Sequence, residues 1–263
     1  MPEGDTVWRT AQRLNQALAG QPLTISDLRW PNLSTLDFRG RITVEVVSRG
    51  KHILHRLDDG HTIHSHLRME GQWRLDAPAQ SRPNGHTRAV LGTEAWTALG
   101  QRLGMLDVVR TIDEHTLVGH LGPDLLGLDW DATLAASNLS KALDTIGAAL
   151  LDQTNLAGLG TLYTAEVLFL QRIDPWRHPA TLTESELAGL VNRGHTLLDH
   201  NKNRATQSTT GYTQRGATTW VYGRAGQPCR RCGTPITSAP IGPPIRRRAL
   251  FHCPTCQISR VVG

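Results

Sequence analysis

Aromatic residues are scarce in this chain: three Phe and three Tyr among 263 residues, beside seven Trp. Any core must therefore be built largely from Leu, Val and Ile. No apolar run approaches the roughly 20 residues that a membrane-spanning helix needs, which excludes such a helix. The polar, amphipathic N-terminus also lacks the pattern of a signal peptide. Cysteine is confined to the last 35 residues, where all four lie, so no disulfide can brace the rest of the chain. Acidic residues fall short of basic ones, 23 against 28, for a net charge of +5. That balance favours a polyanionic partner without specifying nucleic acid. Internal repeats and low-complexity tracts are absent. The length suits one large domain or two small ones. The expectation is a soluble, cytoplasmic protein.

What is present begins at the first residues, Met1-Pro2-Glu3-Gly4-Asp5. With Met1 trimmed, Pro2 carries a secondary α-amine. An α-amino group has a reference pKa near roughly 8, far below that of lysine, so it is readily deprotonated at neutral pH. Amines attack carbonyl-like carbons, and a secondary amine gives a cationic iminium, a strong electron sink. Glu3 ties a carboxyl close to that amine, so the pair can divide nucleophile and proton-transfer roles. Val7, Ala11, Leu14 and Leu18 follow at helical spacing, with Gly20-Gln21-Pro22 as the stop. The pair then sits at a helix N-terminus, whose dipole disfavours an ammonium and favours a carboxylate. The same residues also suit an ordinary helix start.

From about Leu23 to His120 the pattern is β-rich. Short alternating runs at 42–46, 52–55 and 63–67 are bounded by turn residues, and Asp59-Gly60 signals a hairpin. Strands at this spacing predict a sandwich or barrel. Five histidines fall between His52 and His66. They could bind metal, but in alternating strands they more often face solvent or satisfy local hydrogen bonds. Lys51, after Arg49-Gly50, is either a solvated strand lysine or a cation aimed at phosphate. The stretch from Gly122 to Asp129 reads as a linker. From Asp131 to Asn201 the pattern is helical, with Thr183-Glu184-Ser185-Glu186 as a capping box. Residues 203–227 read as loop.

Two short features carry more chemistry. Cys229-Arg230-Arg231-Cys232 and Cys253-Pro254-Thr255-Cys256 are Cys-x2-Cys knuckles at the spacing of a four-cysteine structural zinc site. Four protein ligands leave no open position for catalysis. Disulfides are the alternative, disfavoured where thiols stay reduced. Between the knuckles, Arg246-Arg247-Arg248 would form a basic finger against phosphates, a reading that nearby Arg224, Arg230 and Arg231 strengthen. The stretch Leu156-Ala157-Gly158-Leu159-Gly160-Thr161 joins two helices. Its glycines allow a tight turn and bare amides at a helix N-terminus, an anion site. Thr161 as a plain N-cap is the simpler reading.

Taken together, these pieces resemble the formamidopyrimidine-DNA glycosylase/endonuclease VIII family. The resemblance rests on Met1-Pro2-Glu3-Gly4, Lys51 after Gly50, Gly158-Leu159-Gly160 with Tyr163 and Glu166, Val221-Tyr222-Gly223-Arg224, and Arg248 through Cys253-Pro254-x-Cys256-Gln257. It covers nearly the whole chain in the family's order. Met-Pro-Glu-Gly-Asp-Thr-Val and Ser48-Arg49-Gly50-Lys51-His52 are similar to the actinobacterial endonuclease VIII branch. The resemblance implies an α+β protein: an N-terminal helix plus β-sandwich domain at 1–121, a helix–two-turn–helix DNA-binding domain at 129–222, and a zinc β-hairpin finger at 223–263. It also implies DNA lying across the cleft between the halves. Pro2 would be the Schiff-base nucleophile and Glu3 the proton donor and acceptor. Lys51 would bind phosphate and assist catalysis, and Arg248 would grip the same region. Gly158, Gly160 and Thr161 would offer groups to the DNA backbone, and Met69 would fill the gap left by an extruded base. One structural Zn2+ would be held by Cys229, Cys232, Cys253 and Cys256. The expected partner is damaged double-stranded DNA, met by a monomer with no membrane role, cytoplasmic and associated with the nucleoid through DNA.

The chain departs from the family pattern in several places. Thr161 stands where many members have Asn, replacing an amide donor by a hydroxyl. Thr6 stands where many have Glu. Gln101, Arg102 and Leu103 lie roughly where 8-oxoguanine enzymes place Arg and Phe as further void fillers. The loop before the finger is short, which fits oxidised pyrimidines better than 8-oxoguanine. Two alternatives stay open: an 8-oxoguanine/formamidopyrimidine glycosylase of the same fold, and a non-catalytic zinc protein that binds damaged DNA.

Overall fold

The computed structural model describes residues 2–258, apart from the Arg246 side chain. The chain divides into two compact units, 1–120 and 121–263. In the first, helix α1 spans Gly4–Leu18. It starts three residues before the first apolar position of its periodic face. Val7, Ala11, Leu14 and Leu18 are all buried, as the spacing requires of an amphipathic helix.

Eight strands follow: β1 (Ile25–Leu28), β2 (Thr43–Arg49), β3 (His52–Leu57), β4 (His61–His66), β5 (Gln72–Asp76), β6 (Thr87–Gly92), β7 (Thr97–Gln101) and β8 (Met105–Arg110). They form two antiparallel four-stranded sheets, ordered β1-β6-β7-β5 and β2-β3-β4-β8. Leu28, Ala89, Leu91 and Ala98 from one sheet share a core with Val46, Ile53, Ile63 and Leu106 from the other and with α1. This is the expected sandwich. The Asp59-Gly60 turn joins β3 to β4, with Gly60 at φ +80°, a conformation a β-carbon disfavours. A short helix α2 (His115–Val118) closes the unit.

The second unit contains α3 (Ala132–Ser140), α4 (Ile146–Leu151), α5 (Thr161–Gln171), α6 (Glu184–Asn201) and the hairpin β9 (Thr237–Ile241) and β10 (Arg248–His252). Helix α5 is buried on nearly every side, from Tyr163 through Phe169, as expected of a helix apolar all round. The capping box at α6 forms as the sequence predicts, Thr183 Oγ1 accepting from Glu186 N–H and Glu186 from Thr183 N–H. The stretch expected as a linker is built into this unit instead. Leu125 is fully buried, and Leu125 N–H donates to the Ala157 carbonyl at 3.1 Å. Ile236, Ile241, Leu250, Cys229 and Cys253 pack in the same core as the helices. No described helix is long and apolar enough to cross a membrane.

Candidate nucleic-acid interface and catalytic residues

In the first unit, Pro2 is half-buried and Glu3, Gly4 and Asp5 are buried. Glu3 occupies the N-cap of α1, but its side chain makes no capping bond. Its carbonyl accepts the first helical bond, from Val7 N–H at 3.0 Å. A fully buried carboxyl therefore sits directly after Pro2 at the positive end of a helix dipole. Lys51 lies at the tip of the β2–β3 hairpin, since Arg49 pairs with His52 and only Gly50 and Lys51 turn the chain. Gly50 has φ +58°, the left-handed first position of a two-residue hairpin turn that favours glycine. Lys51 thus belongs to the turn and not to the strand.

Met69 and Arg102 occupy neighbouring loops. Met69 is 66% exposed, a conspicuous position for a large apolar side chain. Arg68 and Arg102 both have positive φ, 54° and 48°. Arg102 Nη1 lies 3.1 Å from Glu70 Oε2, which bridges the two loops. A β-carbon at Gly71 would fall 2.4 Å from the Leu67 carbonyl oxygen, so this tight turn requires glycine.

His52, His55, His64 and His66 make local hydrogen bonds through their rings. His55 Nε2 is 2.8 Å from Thr43 Oγ1, and burial pushes its pKa down to about 4. His52, His64 and Asp107 form a connected chain. Among the described residues, the four cysteines are the only group arranged to hold a metal ion. In the same strand as His52 and His55, Arg56 donates to both Glu45 and Glu114. Burial opposes ionisation of Glu114, but bonds from Arg56 and Thr62 outweigh it and hold its pKa below the usual carboxylate value.

In the second unit, Gly158 adopts φ +117°, and a β-carbon there would meet Leu198 at 3.2 Å. Gln153 organises the turn, a role the sequence did not disclose. Its Oε1 accepts from Gly158 N–H at 3.1 Å and its Nε2 donates to the Leu159 carbonyl at 3.0 Å. The N-cap of α5 is Gly160, not Thr161, and no side chain caps the helix. Thr161 is the first helical residue and is buried.

Glu166 has a role that the sequence also concealed. It is fully buried and accepts from the backbone amides of Trp220, Val221 and Tyr222 at 2.8, 2.8 and 2.9 Å, and from the Thr209 hydroxyl. One carboxylate thus fixes both ends of the loop ahead of the finger. Burial pushes its pKa up, while these donors pull the other way.

In the finger the four thiols are free and their sulfurs lie within 4.8 Å of one another. The Cys229–Cys256 and Cys232–Cys253 separations are 4.0 and 3.5 Å. These bracket the roughly 3.8 Å edge of a tetrahedron with Zn–S bonds of about 2.3 Å. Arg231 N–H and Cys256 N–H each point at a knuckle sulfur at 3.4 Å. The donor set and shape therefore fit zinc. Gln257 anchors the finger: its Oε1 accepts from Cys253 N–H and its Nε2 donates to the Ile173 carbonyl.

Arg248 opens β10 and is exposed beside Arg247. The other arginines depart from the expectation. Arg224 is buried and donates to the Trp220 and Pro228 carbonyls. Arg230 donates to Thr219 and Gly216. Arg231 stacks 4.2 Å over the Phe169 ring and donates to its carbonyl. Arg224 and Arg230 thus tie the finger to the loop ahead of it and Arg231 ties it to α5, because a small finger needs donors for carbonyls that no regular element satisfies.

Known proteins are similar to this chain over nearly its whole length. The formamidopyrimidine-DNA glycosylase N-terminal domain matches residues 1–122, and the formamidopyrimidine-DNA glycosylase H2TH domain matches 121–211. A Streptomyces coelicolor protein named probable endonuclease 8 2 is 48% identical over 261 residues, 98% of this chain and 94% of that one. The DNA-(apurinic or apyrimidinic site) lyase Nei2 of Mycolicibacterium smegmatis is 42% identical over 265 residues, covering 98% and 99%. Among solved structures, the Lactococcus lactis formamidopyrimidine DNA glycosylase bound non-covalently to DNA containing an AP site superposes with a TM-score of 0.81. It is 25% identical, covering 97% of this chain and 99% of that one. MutM in complex with DNA containing carbocyclic 8-oxo-G gives 0.83 at 27% identity, covering 98% and 100%.

Proposed function

Because this chain belongs to the formamidopyrimidine-DNA glycosylase/endonuclease VIII family, we propose that it is a bifunctional DNA glycosylase and abasic-site lyase of base excision repair. Its nucleophile is the Pro2 amine. The observation that carries this is the placement of Glu3: a buried carboxyl, unused as a cap, directly after Pro2 at the start of α1.

The sequence of steps follows from these groups. The enzyme neutralises phosphates of duplex DNA and takes the damaged nucleotide out of the stack, at a cost of a few kcal/mol. Pro2 nitrogen attacks C1′ as the base departs with the bonding electrons of its glycosidic bond and the amine gives up its proton; Glu3 then protonates O4′, the C1′–O4′ bond breaks, and the sugar opens to a Pro2 iminium. The resulting iminium acidifies the C2′ proton. Loss of that proton expels the 3′ phosphate, and a second elimination expels the 5′ phosphate. Lys51 on its hairpin tip contacts phosphate near the extruded nucleotide. In the other unit Arg248 and the Gly158–Gly160–Thr161 turn bind the backbone. Met69 and Arg102 fill the space the base leaves. One zinc ion held by Cys229, Cys232, Cys253 and Cys256 cross-links the finger, its four thiolate ligands leaving no open position. The protein acts as a monomer in the cytoplasm, on nucleoid DNA. The short loop ahead of the finger favours oxidised pyrimidines.

Borohydride in the presence of an abasic or oxidised-pyrimidine duplex should trap a covalent adduct at Pro2, located by mass spectrometry. Absence of an adduct, or retention of Met1 in active protein, contradicts the assignment. A panel of single-lesion duplexes tests the pyrimidine preference, and faster excision of 8-oxoguanine would reverse it.

A further inference from the structure

Strands β3, β4 and β8 place His52, His64 and Asp107 on one face of their sheet, and the three side chains connect. Asp107 Oδ2 is 2.9 Å from His64 Nδ1. His64 Nε2 is 2.8 Å from His52 Nδ1, with the two rings stacked at 5.0 Å. A carboxylate only accepts, so His64 donates from Nδ1. In the neutral relay His64 Nε2 is then the acceptor and His52 donates from Nδ1. The outer nitrogen, His52 Nε2, keeps a lone pair. Among the described residues it has no hydrogen-bond partner, and it is not among the buried atoms left unpaired, so solvent reaches it.

Adding one proton reverses the wire. A proton taken from a buffer acid binds His52 Nε2. The Nδ1 proton of His52 passes to His64 Nε2, and the positive charge comes to rest on His64 against Asp107. The outer nitrogen has changed from acceptor to donor, and atoms and charge balance.

The surroundings keep the relay unloaded in the absence of an anion. Burial pushes His52 down to about 3, helped by His66, His64, His120 and Arg68. It pushes His66 down to about 4, helped by Arg68, Lys51 and His64. His64 is lowered by burial in spite of Asp107 and Glu114, the negative groups that bear on it. The outer end faces His66 edge-on at 4.8 Å and the exposed His120 at 6.5 Å. It directly follows Lys51 at the hairpin tip.

Resting on the DNA-binding reading above, we propose that the Asp107–His64–His52 chain is a proton-loaded phosphate contact. When a phosphodiester reaches the Lys51 hairpin, the relay takes up a proton and His52 Nε2–H donates to the phosphate. His52 is thus a binding residue, and His64 and Asp107 are positioning residues.

Calorimetric titration of the full chain with an abasic-analogue duplex, in buffers of different ionisation enthalpy, reads this directly. The wild type should take up a substantial fraction of a proton at pH 6 and almost none at pH 8. Linkage then tightens binding by up to about tenfold per pH unit where a full proton is taken up. Asp107→Asn should bind as wild type does at pH 8 but lose most of the uptake at pH 6. Since that variant could also disturb β8, nitrogen-15 imidazole spectra of the wild type provide a second readout. Without DNA, His64 and His52 should both be Nδ1–H tautomers, and with DNA His64 should become doubly protonated. Binding with no buffer-dependent heat, equal uptake by Asp107→Asn, or an unchanged His64 spectrum overturns this proposal alone. A wild-type chain that binds no duplex overturns it together with the reading it rests on.

Discussion

Replacing Glu166 by Gln tests whether one carboxylate organises the loop before the finger. The side chain is fully buried and receives three backbone amides and one hydroxyl. Gln keeps one acceptor oxygen, which can serve Val221 and Tyr222 as Oε1 does now. Its NH2 then replaces Oε2. Thr209 can rotate its hydroxyl to accept from that NH2, but Trp220 N–H is left facing another donor. A buried orphan donor costs about 1–3 kcal/mol, and two charge-assisted bonds become neutral ones, losing roughly half their strength. Relief from burying a charge offsets part of this. The expected net loss is about 2–4 kcal/mol. For a protein of this size that lowers Tm by roughly 4–16 °C. Thermal unfolding followed by circular dichroism measures the shift, and hydrogen exchange locates it. The amides of Trp220, Val221 and Tyr222 should lose protection well before those of α5. A Tm within 2 °C of wild type with those three amides still protected would refute the reasoning.

Other outcomes follow from the remaining groups. Glu3→Gln should slow base excision by about 100-fold or more, the range for a lost general acid, while cleavage at a preformed abasic site changes far less. Equal loss in the two assays contradicts the proton-transfer role. Stripping zinc with a chelator should lower Tm as well as DNA affinity, since Cys229 and Cys253 belong to the helical core, and metal content measured beside both readouts checks this. Glu186 lies below the usual carboxylate pKa because Arg177, and then Thr183 N–H, hold its ionised form. Its folded pKa is depressed, so its contribution is present above the unfolded value of 4.5 and is lost as pH falls through the folded one. The Tm gap between wild type and Glu186→Gln should be smaller at pH 3.5 than at pH 6, as melting curves at the two pH values would show. Raising salt from 50 to 200 mM should weaken duplex binding steeply if several phosphates are neutralised; a flat dependence counts against the interface.

The elements legible in the sequence are those whose causes are local. The α1 face, the Asp59-Gly60 hairpin and the Thr183–Glu186 box each depend on residues a few positions apart. The cysteine knuckles needed only their spacing. What stayed hidden depends on residues that the fold brings together from far away. Glu166 meets Trp220, 54 residues on. The His52–His64–Asp107 chain exists only because β4 pairs with β3 on one side and β8 on the other. Arg224, Arg230 and Arg231 have the composition of a phosphate grip, and composition cannot tell solvent from a neighbouring carbonyl. Gly160 took the cap from Thr161 because helix start and side-chain capping propensity are separate facts, and the chain around Gly158 had already turned.

Two left-handed non-glycine residues of the first unit, Arg68 and Arg102, lie at the loops that the proposed reading assigns to the gap left by the base. Arg68 and Arg102 hold left-handed backbone conformations that cost a non-glycine residue about 1–2 kcal/mol each. Neither lies in a strand, and the ion pair between Arg102 and Glu70 is exposed at both ends, so it returns at most about 1 kcal/mol. Gly104 is shaped to this arrangement, for a β-carbon there would fall 2.0 Å from Arg68 Cγ. Local bonds return part of that cost, since Arg68 N–H donates to His66 Nδ1 at 2.9 Å and Arg102 N–H to the His86 carbonyl at 2.8 Å, while Met69 beside Arg68 stays exposed. On the proposed reading, a duplex with one base removed would offer a gap for Met69 and phosphates for the arginines, so that one ligand meets all three side chains and supplies the rest of the return.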